Sequence, residues 1–325
     1  MNGWRPRAAA AAASLMLLVA AGCSSPRQAA PAGSTTPPLA TSRDRAATRD
    51  DTTSRVVVVV EENHASGQII GSPQAPFLNH LATKGTLLTS YFAITHPSLP
   101  NYLAMVSGDT HQITSDCGGC NLDAPNLADQ LEAAGVSWKA YMEDLPAPCS
   151  DAHRAGAYAK KHNPFMYFTS VRDHPDRCAK VVPLDQLDTD LAAGRLPRLV
   201  FVTPNQDHDM HGAGESGNDP ALIETADRWL EDLYGRLAGS SAWREDTRLV
   251  ITWDEAANGD KLGCCGGQAA GGQVATIITG PHVQAGRDNT PYSHYALLRS
   301  IETLFHLPYL GHASDPATAT IPALS

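Results

Sequence analysis

The chain predicts an α/β domain, a mostly parallel central sheet flanked by helices, on three observations. Residues 56–60 are five valines in a row, the mark of a strand buried on both faces of a parallel sheet. Apolar runs at 199–202, 249–253 and 274–279 alternate with segments of helical periodicity. The runs at 56–60, 199–202 and 249–253 are each followed by a cluster of carboxylates, amides or imidazoles.

Taken in order, the valine run is followed by a helical pattern around Phe77, Leu78 and Leu81 that stops at Gly85. A helix over 102–106 is preceded by a loop stiffened by Pro97 and Pro100, with Pro100 suited to a first turn. Helices follow at 126–134 and 184–193, then the strand at 199–202. Asp219 and Pro220 form a cap and first position for a helix with Leu222, Ala226, Leu230, Leu233 and Leu237 along one face. The strands at 249–253 and 274–279 come next, and a helix at 294–306 closes the domain. No internal repeat is visible.

The ends of the chain read differently. Arg5 and Arg7 precede an apolar run over 8–21 that is too short to span a bilayer and finishes in small residues, the pattern of an export signal over 1–22. Ala21-Gly22-Cys23 resembles a lipoprotein lipobox, which implies lipidation of Cys23 and anchoring on the outer side of the bacterial cell membrane. Residues 23–54 carry Pro26, Pro31, Pro37 and Pro38 among small polar residues and form a disordered tether. The catalytic domain is then 55–325, and the lipid anchor is its only expected membrane contact.

The full sequence has 325 residues, 42% of them hydrophobic, with 24 Lys plus Arg against 34 Asp plus Glu and a net charge of −10. That balance has no basic stripe, so no nucleic-acid partner is expected. Six cysteines follow Cys23: Cys117, Cys120, Cys149, Cys178, Cys264 and Cys265. An even number in an exported chain favours disulfides, whose pairing the spacing leaves open. Zinc held by Cys117, Cys120, Cys264 and Cys265 is the alternative.

Function is concentrated after the strands. The first runs into Glu61-Glu62-Asn63-His64, the second into Pro204-Asn205-Gln206-Asp207-His208-Asp209-Met210-His211, the third into Asp254-Glu255. Ligands of open α/β sheets bind beyond the carboxyl ends of the strands, so these clusters share one edge. Carboxylate and amide oxygens suit a hard or borderline divalent cation. Glu61 and Glu62 are neighbours on a strand and face opposite ways, which leaves Glu61 out of the ligand set. Ser98 lies at a helix N-terminus, where backbone N–H groups and the dipole favour a phosphate. No G-x-S-x-G elbow occurs, which argues against an α/β-hydrolase esterase.

Glu62-Asn63, Ser98-x-Pro100-Asn101, Asp207-x-Asp209-x-His211 and Asp254-Glu255 occur in the order seen in the phosphoesterase family. That family contains phospholipases C and acid phosphatases and is related to the alkaline-phosphatase-like superfamily. The chain resembles its acid-phosphatase branch through residues 96–102, Glu143-Asp144-Leu145-Pro146, Tyr158-Ala159-x-Lys161-His162, Asp209-Met210-His211, 252–255 and Ser293-His294-Tyr295. The resemblance covers about residues 55–312. It departs at Asn63-His64-Ala65, where the phospholipase branch continues Ser-Phe-Asp, and in its six domain cysteines.

The resemblance implies hydrolysis of phosphomonoesters, with phosphatidylinositol 3-phosphate among the implied substrates. It makes Ser98 the nucleophile and Glu62, Asn63, Asp254 and Glu255 the holders of a divalent metal ion. His211, His162 and His294 are candidates to protonate the leaving group. Lys161, Asn101 and His294 are candidates to contact phosphate. A phosphodiesterase of the phospholipase C kind is the alternative that the same residues allow.

Overall fold

Valines side by side need burial on both faces, and strand β1 (Arg55–Glu61) is buried from end to end. Even Arg55 is inside. Its guanidinium donates to the carbonyls of Leu196 and Pro197, both at 2.8 Å, and of Ala242 at 2.5 Å. The structure is a computed structural model that describes residues 54–212, 220–257 and 259–325. The export signal, Cys23, the tether up to residue 53 and the Asp219 cap lie outside the described residues.

After β1 the chain forms α1 (Pro76–Lys84), β2 (Thr86–Leu88), α2 (Ser98–Ser107), α3 (Leu127–Ala134), β3 (Trp138–Met142) and β4 (Val181–Pro183). It continues through α4 (Gln186–Ala192), β5 (Leu199–Thr203), α5 (Pro220–Ala238) and β6 (Thr247–Trp253). The last elements are β7 (Thr276–Thr279), β8 (Gly286–Asp288) and α6 (His294–Leu304). These eight strands form one sheet in the order β8-β2-β7-β6-β1-β5-β3-β4. The five from β6 to β4 are all parallel. Strand β7 runs antiparallel to both its neighbours, β6 and β2.

The elements end where their sequences say. Gly85 closes α1, its N–H donating to Leu81 O at 2.8 Å. The N–H groups of Phe77 and Leu78 at the start of α1 donate to the Asp227 carboxylate of α5, both at 2.9 Å, which fastens the two helices. Asn126 caps α3, its side chain accepting from Ala128 N and Asp129 N. Along α5, Ile223, Ala226, Leu230, Leu233 and Leu237 are buried, while Leu222 is half-buried. Helix α2 is buried at every position. It ends at Gly108 in the left-handed region, where a Cβ would lie 2.3 Å from Leu310 O.

The short strands β2, β3, β4 and β8 have no counterpart in the sequence reading. Runs of three to five residues carry too little periodicity to separate from loops. The cysteines form three disulfides, Cys117–Cys120, Cys149–Cys178 and Cys264–Cys265. All four sulfurs of the zinc alternative are thereby consumed. Among the described residues no helix is long and apolar enough to cross a membrane.

Candidate active site

Strand β1 pairs in parallel with both β5 and β6, so their three carboxyl ends emerge side by side. Backbone bonds lock them: Glu62 N donates to Asp209 O at 2.8 Å and Asp254 N to Glu61 O at 2.9 Å. Asn63 adopts a left-handed φ of 50°, which asparagine tolerates better than most residues, and its N–H lies 3.3 Å from Asp254 Oδ1. The same oxygen accepts Glu255 N at 2.6 Å.

Asn101 folds the loop that delivers the serine. Its Oδ1 accepts from Ile94 N and Thr95 N at 2.9 and 3.0 Å, and its Nδ2 donates to Thr95 O and Pro97 O at 2.9 and 3.1 Å. The strap at Gly271 then packs against this loop so closely that a Cβ there would lie 2.5 Å from Thr95 O. Ser98 emerges as the first residue of α2 and is almost fully buried.

Ser98 Oγ donates to Glu62 Oε2 at 2.9 Å and accepts from Lys161 Nζ at 3.1 Å. Lys161 Nζ is 3.8 Å from the same Glu62 oxygen and 3.3 Å from Asp116 Oδ2. His162 stacks on Tyr102, with Nε2 3.1 Å from Glu62 Oε1 and Nδ1 3.3 Å from Asp209 Oδ2. The His211 ring centre is 6.5 Å from that of His162, and His211 N donates to Asp209 Oδ1 at 2.8 Å. The strand ends, α2 and the 160–162 turn thus bring Ser98, Glu62, Lys161, His162 and His211 together.

The charges divide sharply. Burial alone would raise the Glu62 pKa, but the charges of His162 and Lys161 hold it well below the usual carboxylate range. Burial opposes protonation of His162, yet Glu62 and Asp209 carry it up to about 9. Asp254 is driven well above its ordinary value by burial first and then by Glu62 and Glu255. Glu255 is raised by burial and by Glu62, with His96 pulling the other way.

Two of the residues singled out in the sequence are engaged in the scaffold. All four hydrogen bonds of the Asn101 amide go to backbone, as described above. His294 is buried, with Nδ1 3.1 Å from Tyr91 Oη and Nε2 2.6 Å from Asp254 O. Burial lowers its pKa to about 4, which keeps the ring neutral.

Three other residues carry no role in the sequence reading but reach the site. Asp116 contacts Lys161, Asp209 receives His162, and His96 Nδ1 lies 2.5 Å from Glu255 Oε2 with Nε2 2.6 Å from Asp260 O. Asp209 and His96 sit inside recognisable motifs. Asp116 lies on a loop with no motif, and only its place directly before Cys117 sets it apart.

The donors fit a hard divalent cation. Asn63 Oδ1 and Asp254 Oδ2 are buried oxygens without a hydrogen-bond partner, which a cation would satisfy. Asp254 and Glu255 each have one oxygen tethered by the protein, whereas both oxygens of Glu62 are engaged, by Ser98 and by His162. Among the described residues no three His, Cys, Asp or Glu side chains close on a single point. The protein's share of a coordination sphere is therefore incomplete and would need an amide oxygen, substrate or water to fill it.

Comparison with known proteins places the chain in a family. The Phosphoesterase family model matches residues 71–308. A phosphatidylinositol-3-phosphatase from Mycobacterium tuberculosis is 36% identical over 262 residues, covering 80% of this chain and 79% of that protein. An acid phosphatase from Aspergillus fumigatus is 30% identical over 239 residues. That match covers 71% of this chain but only 51% of the fungal enzyme, so the chain spans about half the length of that relative. A Vibrio parahaemolyticus protein of the alkaline phosphatase superfamily superposes with a TM-score of 0.53. It covers 81% of this chain and 70% of that one at 14% identity, a likeness of fold alone. The family match and the mycobacterial relative together make this chain a member of the phosphoesterase family, a hydrolase of phosphoric esters.

Proposed function

We propose that the protein is an acid phosphatase that transfers the phosphoryl group of a monoester to Ser98 and then to water. The observation that carries this reading is the buried Ser98 hydroxyl at the start of α2, held between the Glu62 carboxylate and the Lys161 ammonium. Glu62, Asn63, Asp254 and Glu255 would hold a divalent cation, which when bound polarises phosphoryl oxygens and favours the serine alkoxide.

The protein's own residues do the rest. Ser98 Oγ forms the new P–O bond as the ester P–O bond breaks, and its proton leaves to water, since Glu62 is held too acidic to keep it and serves to orient the hydroxyl. Lys161 and protonated His162 offset negative charge around the reacting oxygen. His211 donates a proton to the departing alcohol, and water then cleaves phosphoserine to release inorganic phosphate. Asn101 shapes the loop that aims Ser98, and His294 supports Asp254 through its carbonyl, so both act by positioning.

The 36% identity to the mycobacterial enzyme supports a phosphoinositide as one substrate, and its name is the reason to test that lipid. Export and lipid anchoring at Cys23 complete the proposal and place the active site outside the cell membrane.

The test is phosphate release from p-nitrophenyl phosphate, bis(p-nitrophenyl) phosphate and phosphatidylinositol 3-phosphate across pH 4–9, with and without chelator. Monoester cleavage with an acidic optimum, lost on chelation, is expected. Ser98→Ala should lower kcat by roughly 10³-fold or more with an unchanged thermal transition. Retained turnover in that variant overturns the nucleophile, and faster diester cleavage makes the protein a phosphodiesterase.

A further inference from the structure

Asp116 makes two contacts that a substrate anion would be expected to make. Its Oδ1 accepts the backbone N–H of Leu99 at 2.9 Å, and its Oδ2 lies 3.3 Å from Lys161 Nζ. Leu99 N directly follows Ser98 at the start of α2, where no helix carbonyl takes it and an anion is favoured. Lys161 is the ammonium that also reaches Ser98 Oγ at 3.1 Å. One carboxylate thus spans the backbone N–H that follows Ser98 and the ammonium that touches its hydroxyl.

The loop beneath Asp116 is fixed, while the side chain itself is partly exposed. Cys117 and Cys120 are joined by a disulfide. Lys160 Nζ donates to Gly118 O at 3.2 Å and pairs with Asp151. Gly118 lies so near the His153 ring that a Cβ there would be 2.6 Å from Nδ1. Lys160 is buried, whereas the Asp116 side chain is 31% exposed and opens toward water. Adjacent lysines therefore divide the work, Lys160 holding the loop and Lys161 facing the site. Releasing the anion position asks only for a rotamer change of Asp116.

We infer that Asp116 is an internal occupant of the phosphoryl site, a carboxylate that incoming phosphate displaces and that expels inorganic phosphate after hydrolysis. The inference rests on the serine-phosphatase reading above. It makes Asp116 a specificity-determining residue. Every phosphate ligand must replace two charge-assisted contacts, so product binds more weakly than the donors alone would allow.

The experiment measures inorganic phosphate binding by calorimetry on the full chain, native and with Asp116→Asn or Asp116→Ser. Both variants should bind phosphate about tenfold more tightly, and phosphate should become a correspondingly stronger product inhibitor. Equal or weaker binding in a variant with a native thermal transition overturns the inference. If the variants do not fold, carbodiimide labelling of Asp116 in the native protein decides, with orthovanadate as the probe. Labelling should rise when vanadate binds, and no rise overturns the inference. Absence of phosphate and vanadate binding in every form would overturn the phosphatase reading along with it.

Discussion

On one side of Glu62, a serine hydroxyl, a lysine and a histidinium gather around a single carboxylate. On the other, Asp254 and Glu255 sit side by side, with His96 the one basic side chain among the described residues in ion-pair contact with them. Both sides are buried at the same sheet edge, and their acids respond in opposite directions. Glu62 is held ionised below the usual range, whereas Asp254 and Glu255 are pushed up. Burial is common to all three, so the neighbours decide the sign. Glu62 itself is neutralised by the protein's own His162 and Lys161. The Asp254 side has more negative charge than its partners offset, and that excess is where an external cation gains most.

The sharpest way to break that comparison is Asp254→Asn. Activity should fall by about 10²-fold or more, because a ligand charge is lost. In chelator-treated protein the same change should raise Tm by a few degrees, since it removes an uncompensated buried acid. Opposite signs in the two measurements would establish the excess of negative charge, and a lower metal-free Tm would instead make Asp254 a scaffold residue.

Lys161→Gln probes the compensated side. Loss of the ammonium should reduce kcat/KM for a phosphomonoester by roughly 10–10²-fold, read by steady-state kinetics. Metal-free Tm should fall here, because Glu62 loses a counter-charge. A rise would mean that both sides carry the same imbalance.

The smallest effect on activity is expected outside both. Glu302 on α6 is fully buried, accepts Leu310 N at 2.9 Å, and has its pKa raised by burial to about 8. The folded state therefore holds this proton more tightly than the unfolded chain. The resulting stability is complete below the unfolded value near 4.5 and is lost progressively as pH rises toward 8. Glu302→Gln should leave turnover unchanged and flatten the decline in Tm between pH 5 and 8, by an amount worth about 3 kcal/mol. An unchanged slope would assign that decline to other groups.

Much of this is legible in the sequence. The valine run, the strand at 199–202 and the acidic pairs after strands needed only periodicity and side-chain type, because a strand buried on both faces admits little else. Ser98 was legible because prolines on either side and a following helical run mark a helix start. Asn101 and His294 stand in those same motifs, but their commitment to backbone was hidden, since a motif does not say which donor a side chain meets. The disulfide partners were hidden for the same reason, as six cysteines allow many pairings.

Asp116 shows the limit most clearly. It is 18 residues beyond Ser98 on a loop with no periodic pattern, and it matters only because that loop folds back onto the start of α2. Local sequence determined which segments become strands and helices and which chemistry each strand end carries. Only the tertiary structure decided which charges face one another. The pKa of each acid, and the identity of the group now seated on the serine's anion donors, depend on neighbours brought together from distant parts of the chain.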